Sequence, residues 1–322
     1  MSIPDVSVVI PSFRGGRFLR ESIASVQSQT LENWELMVVL DGCEDDLSDI
    51  ERHDERVRVI RQRQRGVSIA RNVGIGHARS ELVAFLDDDD RMLPDRLLAQ
   101  YEAMRDEAVG LCHTQFRYID ENGDLIGPGF SREAQYSGFL RGDGKIFLSS
   151  AMIRKSLIQE VGGFNSLLSL GEDLDLVFRI ARESTVSFLP VVMAEYRRHG
   201  SNVWLDSQLG GREIKLVLTQ HMWAAEARGQ SENLKAVRVG LASVLTGRAS
   251  SAMFRASEAR SRHDRLGQLR GLAESLFFSP IVTMRVVRGA IRRERAQRAS
   301  EVTARPEKIL EGDRRNDREV WP

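Results

Sequence analysis

The chain has 322 residues, 42% of them hydrophobic, with 46 Lys+Arg balanced by 46 Asp+Glu. That length and apolar content exclude a disordered chain and fit one large domain with an appendage, or two ordinary domains. The neutral total conceals an asymmetry: residues 206–322 hold 22 basic against 14 acidic groups, leaving 24 against 32 in the first 205. Two parts with different jobs are expected. Cys43 and Cys112 are the two cysteines and no CxxC pair exists, which excludes a zinc ribbon or a disulfide framework and fits a reducing compartment. The opening MSIPDVSVVI predicts no secretory leader, and no run of about 18 apolar residues predicts a membrane span.

In chain order, strand and helix signals alternate. VSVVI (6–10), WELMVVLDG (34–42), VRVI (57–60) and ELVAFLD (81–87) read as strands; residues 17–30, 68–79 and 94–107 read as helices, the last opened by Pro94. Near-continuous apolar strands alternating with helices predict an α/β fold, a mostly parallel Rossmann-like sheet covered on both faces. Beyond residue 109 the pattern loosens. Residues 110–127 read as two strands around Glu121-Asn122-Gly123-Asp124, 171–184 as a helix, and 186–197 as an extended segment. Long helical stretches follow at 212–227, 232–246 and 263–277, and 299–322 is charged and aperiodic. The expected organisation is a catalytic-type domain over 1–205, a helical region over 206–298 and a flexible tail over 299–322.

In an open parallel sheet, ligands bind outside the carboxyl ends of the strands. The first strand ends in Pro11-Ser12-Phe13, the second in Asp41-Gly42, and the fourth in Asp87-Asp88-Asp89-Asp90. Each alone fits a turn or a cap; together they suggest a site. Clustered carboxylates suit Mg²⁺ or Mn²⁺, which also bind phosphate oxygens. If the segment is extended, Asp87 and Asp89 point one way and Asp88 the other, while Asp90 is available to cap the helix near Pro94. Asp41 could bond a base or ribose. Arg71 is placed to pair with a phosphate or an acidic neighbour, or to sit on a helix surface. Gly171-Glu172-Asp173 opens a helix, where acids complement the dipole and one carboxylate could serve as a general base. His199, in YRRHGSNV, reads as a surface residue or a metal ligand.

These segments, in this order, resemble the family 2 glycosyltransferases with the GT-A fold, over about residues 5–205. VSVVIPSFRGGRFLRESIASVQSQT resembles the family's first strand and helix, WELMVVLDGCEDD its aspartate-ended second strand, GVSIARNVGIGHARSELVAFLDDDD its most recognisable block, VGGFNSLLSLGEDLDLVFRIAR its acceptor-side block, and YRRHGSNV its late histidine segment. Arg14-Gly15-Gly16 and Gly42-Cys43-Glu44-Asp45 depart from the usual residues at those places. The resemblance implies inverting transfer from a nucleotide-sugar donor to a saccharide or lipid-linked acceptor. It implies nucleotide contacts from Pro11, Ser12, Phe13, Asp41, Arg71, Asp87 and Asp88, Mn²⁺ or Mg²⁺ on Asp89 and His199, Asp173 as base, and Glu172 and Gly171 on the acceptor side. A sugar-phosphate nucleotidyltransferase and a non-catalytic sugar-nucleotide-binding module are the alternatives. The N-terminus lacks the Gly-rich loop of the former, and joint retention of Asp87, Asp89 and Asp173 argues against the latter.

The stretch 280–298 holds six Arg against one Glu, with Arg285, Arg288, Arg292 and Arg295 on one helical face and Ile281, Met284, Val287 and Ile291 on another. Such a helix packs on the catalytic domain or lies on an anionic membrane. A cytoplasmic chain is expected, with 277–298 as a peripheral contact at the inner face of the membrane. Nucleic acid is not expected as a partner, because aromatics do not interleave the charges.

Overall fold

The computed structural model describes residues 3–13, 15–200 and 207–261, with 269, 271–273, 275 and 284 beyond them. The chain divides into two compact units, residues 1–243 and 244–322, and the sheet belongs to the first.

Strands β1 (Val6–Ser12), β2 (Trp34–Asp41), β3 (Val57–Gln62) and β4 (Leu82–Phe85) run parallel in the order β3-β2-β1-β4. β1, β2 and β4 are buried at every residue, so their apolar runs are continuous rather than alternating. Helices α1 (Arg17–Gln27), α2 (Ser48–His53) and α3 (Val67–His77) connect them. Leu19, Ile23 and Val26 of α1 join Val8, Ile10, Leu36, Val38 and Leu40 in one core. Alternation turns Val9 to the opposite face, where α3 comes so near that a Cβ on Gly74 would stand 2.4 Å from Val9 Cγ1. Glycine is what permits that approach.

The second half of the sheet is mixed. Its elements are β5 (Arg91–Met92), α4 (Arg96–Ala103), β6 (Val109–Ile119), β7 (Leu125–Pro128), α5 (Tyr136–Arg141), a 3-10 turn at Leu148–Ser150, β8 (Ala151–Arg154), α6 (Lys155–Glu160), α7 (Glu172–Glu183) and β9 (Thr185–Arg197). β8 lies antiparallel between β4 and β6, β9 pairs with β6 in parallel, and β5 and β7 pair antiparallel with β9 and β6. The expected elements recur with shifts of a few residues. α4 starts at Arg96 rather than Pro94, and β4 stops at Phe85. The short β5, β8, α2, α5 and α6 have no counterpart in the sequence reading.

Two long helices follow, α8 (Ser207–Ala227) and α9 (Ser231–Ser261), which include the helical stretches expected at 212–227 and 232–246. α8 is tied to the sheet domain by a 2.8 Å hydrogen bond between the Tyr136 hydroxyl and His221 Nδ1. Burial, helped by Arg182 and Arg179, pushes His221 down to about 4, which keeps the imidazole neutral. The helix expected at 263–277, the basic stretch 277–298 and the tail 299–322 lie outside the described residues, apart from the scattered positions above. No described helix is long and apolar enough to cross a membrane.

Candidate functional site

The carboxyl ends of β1, β2 and β4 open on one edge of the sheet, because Ser12 pairs with Leu40 and Val9 with Phe85 in parallel register. Past β4 the chain does not stay extended. Asp90 N–H bonds back to the Asp87 carbonyl at 3.2 Å, closing a turn. Consequently the four carboxylates do not sort into two faces by alternation; each leaves the turn towards its own partner. Asp87 Oδ1 accepts from Arg71 Nη2 at 2.8 Å. Asp88 Oδ2 accepts from the Ser12 hydroxyl at 2.5 Å. Asp89 Oδ2 meets His199 Nε2 at 2.8 Å. Asp90, fully buried, accepts from the Ser149 hydroxyl at 2.7 Å and the Arg197 backbone N–H at 3.0 Å. It caps no helix; α4 has no side-chain cap at all.

Crowding like charges in a buried turn raises their proton affinity. Burial pushes Asp88 up to about 7, with Asp89 and Asp87 adding to the rise against the Ser12 bond. Burial and then Asp87 raise Asp89, while His199 opposes them. Burial, Asp89 and Asp87 lift Asp90 well above the usual carboxylate range. Such a turn holds together because its backbone is pinned. Ser22 donates to the Asp90 carbonyl at 2.6 Å, Ser149 accepts the Asp87 N–H at 3.0 Å, and Arg197 Nε donates to the Asp89 carbonyl at 2.9 Å. The fully buried Arg197 is itself held by Glu21 at 2.5 Å.

Arg71 is the link to the second acidic group. Its Nη1 donates to Glu172 Oε1 at 2.7 Å while Nη2 holds Asp87. One buried guanidinium thus spans the end of β4 and the start of α7. Of the partners open to Arg71 in the sequence, the structure supplies the acids. Burial disfavours its charge, but Asp87 and Glu172 more than offset this and raise it above its ordinary value. Its Nε is buried with no hydrogen-bond partner among the described residues. α3 also carries Asn72, which exchanges two 2.9 Å bonds with the Phe164 backbone, and Ser68, whose hydroxyl donates to the Leu168 carbonyl at 3.4 Å. From the other side, Glu213 on α8 accepts the Ser169 and Leu170 N–H groups at 2.9 and 2.6 Å. The loop before α7 is clamped from both directions. It ends at Gly171, whose φ of +104° marks the left-handed region that glycine enters without strain.

Three acids stand in the first turn of α7: Glu172, Asp173 and Asp175. Glu172 belongs to Arg71. Asp175 pairs with Arg179 at 2.5 Å, and Arg179 in turn bonds the Val161 and Gly163 carbonyls. Asp173 accepts only its neighbour's N–H, Leu174 at 2.7 Å, and pairs with no side chain among the described residues. Burial and then Glu172 push it up to about 6, with Arg71 pulling the other way. The helix terminus favours its charge but does not outweigh these two.

Asp41 is fully engaged with its own chain. Oδ1 accepts from Gln62 Nε2 and Arg65 N–H, each at 2.7 Å, and Oδ2 from Gly66 N–H at 2.8 Å. It fixes the turn into α3. Pro11 and Ser12 are buried in β1, and Phe13 beyond them is 51% exposed. Asp89 and His199 present one oxygen-rich and one nitrogen donor in contact, a donor set that Mn²⁺ or Mg²⁺ accepts. Among the described residues no three His, Cys, Asp or Glu side chains form a cage. The fit is to a metal held by two protein groups and otherwise by phosphate and water, as Mg²⁺ commonly is.

Sequence reasoning missed Ser22, Ser149, Arg197, Asn72 and Glu213. Arg197 stands in the same segment as His199 and could have been noticed there. A serine or asparagine that bonds a backbone from afar leaves no mark in periodicity or spacing.

The glycosyl transferase family 2 model matches residues 7–162. An uncharacterized glycosyltransferase of Rickettsia felis is 30% identical over 213 residues, 62% of this chain and 34% of that protein. The chain therefore spans about a third of the length of such relatives. The Escherichia coli UDP-Glc:alpha-D-GlcNAc-diphosphoundecaprenol beta-1,3-glucosyltransferase WfgD is 26% identical over 210 residues, 62% of this chain and 79% of that protein. Residues 1–349 of Staphylococcus aureus TarS, solved with UDP-GlcNAc, superpose with a TM-score of 0.57 at 15% identity, covering 84% of this chain and 91% of that one. At that identity the likeness concerns the fold, a GT-A-type mixed sheet flanked by helices.

Proposed function

Because the chain belongs, through residues 7–162, to glycosyl transferase family 2, we propose that it moves a sugar from a nucleoside-diphosphate donor to an acceptor hydroxyl with inversion at the anomeric carbon. The observation that carries this reading is the Arg71 bridge. It holds the acidic turn of β4 and the first turn of α7 together, and it leaves Asp173, next to Glu172, as the acid of that turn without an ion-pair partner among the described residues. A general base must be ionised near neutral pH yet ready to take a proton, and a value of about 6 meets both needs.

In this mechanism Asp173 takes the proton of the acceptor hydroxyl. The freed oxygen bonds the anomeric carbon from the face opposite the diphosphate. The bond from that carbon to the phosphate oxygen breaks, and the nucleoside diphosphate leaves with the electron pair. The transition state has oxocarbenium character, as in other glycosyl chemistry. Asp89 and His199 would hold Mn²⁺ or Mg²⁺, whose charge offsets that gathering on the diphosphate. Pro11, Ser12 and the exposed ring of Phe13 flank the nucleotide, with Asp41 shaping its pocket through the 62–66 turn. Asp87, Asp88 and Arg71 set the positions of the groups in front of them.

The UDP-GlcNAc bound to TarS favours a UDP-sugar as the first donor to try. The name of WfgD favours a lipid-linked saccharide acceptor and a role in polysaccharide or glycolipid assembly. The test is to incubate the protein with UDP-, GDP- and dTDP-sugars and Mn²⁺ and to follow diphosphate release. Slow release from at least one donor, accelerated by a saccharide acceptor, is expected. No nucleotide binding and no release from any donor would overturn the proposal.

A further inference from the structure

Beside the acidic turn lies a group of aromatic rings that the transfer chemistry does not use. Phe116 on β6 is buried, and Tyr118, Phe147 and Tyr196 surround it, each partly exposed. Tyr118 lies opposite Tyr196 in the β6–β9 pair. Their ring centroids are 5.6 Å apart at 82°, and Phe147 meets Tyr196 at 5.0 Å and 86°. Phe116 supports all three, at 5.3 Å from Tyr118, 4.7 Å from Phe147 and 6.5 Å from Tyr196. Edge-to-face packing of this kind fixes the rings.

Two tethers place the group next to the acidic turn that carries Asp89. Tyr196 immediately precedes Arg197, whose N–H holds Asp90, and Phe147 stands two residues before Ser149, whose hydroxyl holds the same carboxylate. Neither tyrosine hydroxyl has a hydrogen-bond partner among the described residues. At the rim, the exposed Arg198 lays its guanidinium 4.1 Å from the centroid of Tyr118 and makes no ion pair among the described residues. Packed rings partly open to solvent, with two hydroxyls and a cation that have no hydrogen-bond or ion-pair partner among the described residues, make an apolar wall with a few polar groups, the usual composition of a ligand subsite.

We propose that Tyr118, Phe147 and Tyr196 are the stacking face for the pyranose ring of a saccharide acceptor, and that Arg198 takes an anionic substituent of that sugar, a carboxylate or a phosphate. The C–H face of a pyranose packs against aromatic rings while its hydroxyls reach the tyrosine O–H groups. The guanidinium provides a planar fork for an oxyanion. This assignment rests on the family 2 transfer reading and adds the class of acceptor to it.

The experiment is saturation-transfer NMR on the full chain loaded with UDP and diamagnetic Mg²⁺, with methyl β-D-glucuronide and methyl β-D-glucoside as probes. Both glycosides should receive saturation, the glucuronide binding more tightly. Tyr118→Ala should weaken both roughly three- to tenfold, the scale of one lost aromatic contact. Phe147→Leu, which keeps apolar bulk, is the second variant should Tyr118→Ala not fold. Arg198→Ala should remove only the preference for the glucuronide. UDP affinity by calorimetry should not change in any of them. A chain that binds UDP but neither glycoside, or whose variants bind both glycosides as wild type does, overturns the stacking face alone. Glycoside binding that depends on Tyr118 and Arg198, without any nucleotide binding, overturns the transfer reading and leaves the stacking face standing. Loss of both kinds of binding overturns both.

Discussion

Four carboxylates stand in a row at Asp87–Asp90 and three in one helical turn at Glu172, Asp173 and Asp175, yet the two groups are stabilised in opposite ways. In the β4 turn every acid has a partner of its own: Arg71, the Ser12 hydroxyl, His199, and Ser149 with a backbone N–H. At the start of α7 two acids are given arginines and the third has none among the described residues. Complete satisfaction makes the turn a scaffold, with Asp89 and His199 the pair proposed to hold the metal. Incomplete satisfaction leaves Asp173, raised to about 6, with neither an ion-pair nor a hydroxyl partner among the described residues. Acid density alone would rank the turn above the helix as the seat of proton transfer; the partners are what favour Asp173 in the proposed mechanism.

The substitution with the greatest consequence is Asp173→Asn. It should lower acceptor-dependent transfer by about 10²–10⁴, the range of general acid–base catalysis, with nucleotide binding close to wild type. Undiminished turnover would remove Asp173 from the mechanism. Next is Arg71→Ala, which strands Asp87 and Glu172 on both sides of a buried vacancy. Removing one member of a buried charge network costs about 3–5 kcal/mol, to be read from denaturant midpoints; a loss under ~1 kcal/mol would mean that the two acidic groups do not depend on this bridge. Asp89→Ala should then weaken Mn²⁺-dependent UDP binding at least about tenfold, since loss of a mere outer-shell partner of a metal ligand already costs about 10–100-fold. Equal calorimetric affinity with and without the carboxylate would count against it as a ligand. Smaller again is the pH response: transfer should fall to half near pH 6 as acid protonates Asp173, and an acidic limb near pH 4 would point to a different base.

What the sequence disclosed follows from the physics of each half. β1, β2 and β4 are buried on both faces, so their apolar runs are unbroken and easy to read. Convergence of Ser12, Asp41 and Asp87 on one edge follows from parallel register alone. The turn at 87–90 was harder. An alternating pattern presumes extended backbone, and the Asp90-to-Asp87 hydrogen bond bends it instead. β8 has only four residues and β5 only two; segments so short carry no period, and their pairing is decided by strands distant in the chain. Arg71 and Glu172 are 101 residues apart. Each is a candidate from its own motif, but nothing in either neighbourhood says that one guanidinium serves both acids.

The smallest expected effect is on stability, and its sign separates the two acidic groups most directly. An ordinary aspartate titrates near 3.9, whereas Asp173 in the folded chain is raised to about 6, chiefly by burial. A carboxyl raised in this way favours the folded state while protonated. That contribution is whole below about pH 4 and is lost as pH rises through about 6. At pH 7.5 the ionised group is therefore a burden on folding. Asp173→Asn removes the charge and keeps the shape, so its melting temperature should exceed wild type by ~2 °C at pH 7.5, for a gain on the order of 1 kcal/mol in a chain of this size. At pH 4, where both side chains are neutral, the difference should vanish. The mirror substitution Asp175→Asn breaks an ion pair with Arg179 and should lower the melting temperature at pH 7.5. If Asp173→Asn behaved the same way, its carboxylate would have a cationic partner after all, and the distinction between a satisfied acid and a spare one would fail at the residue where it matters most.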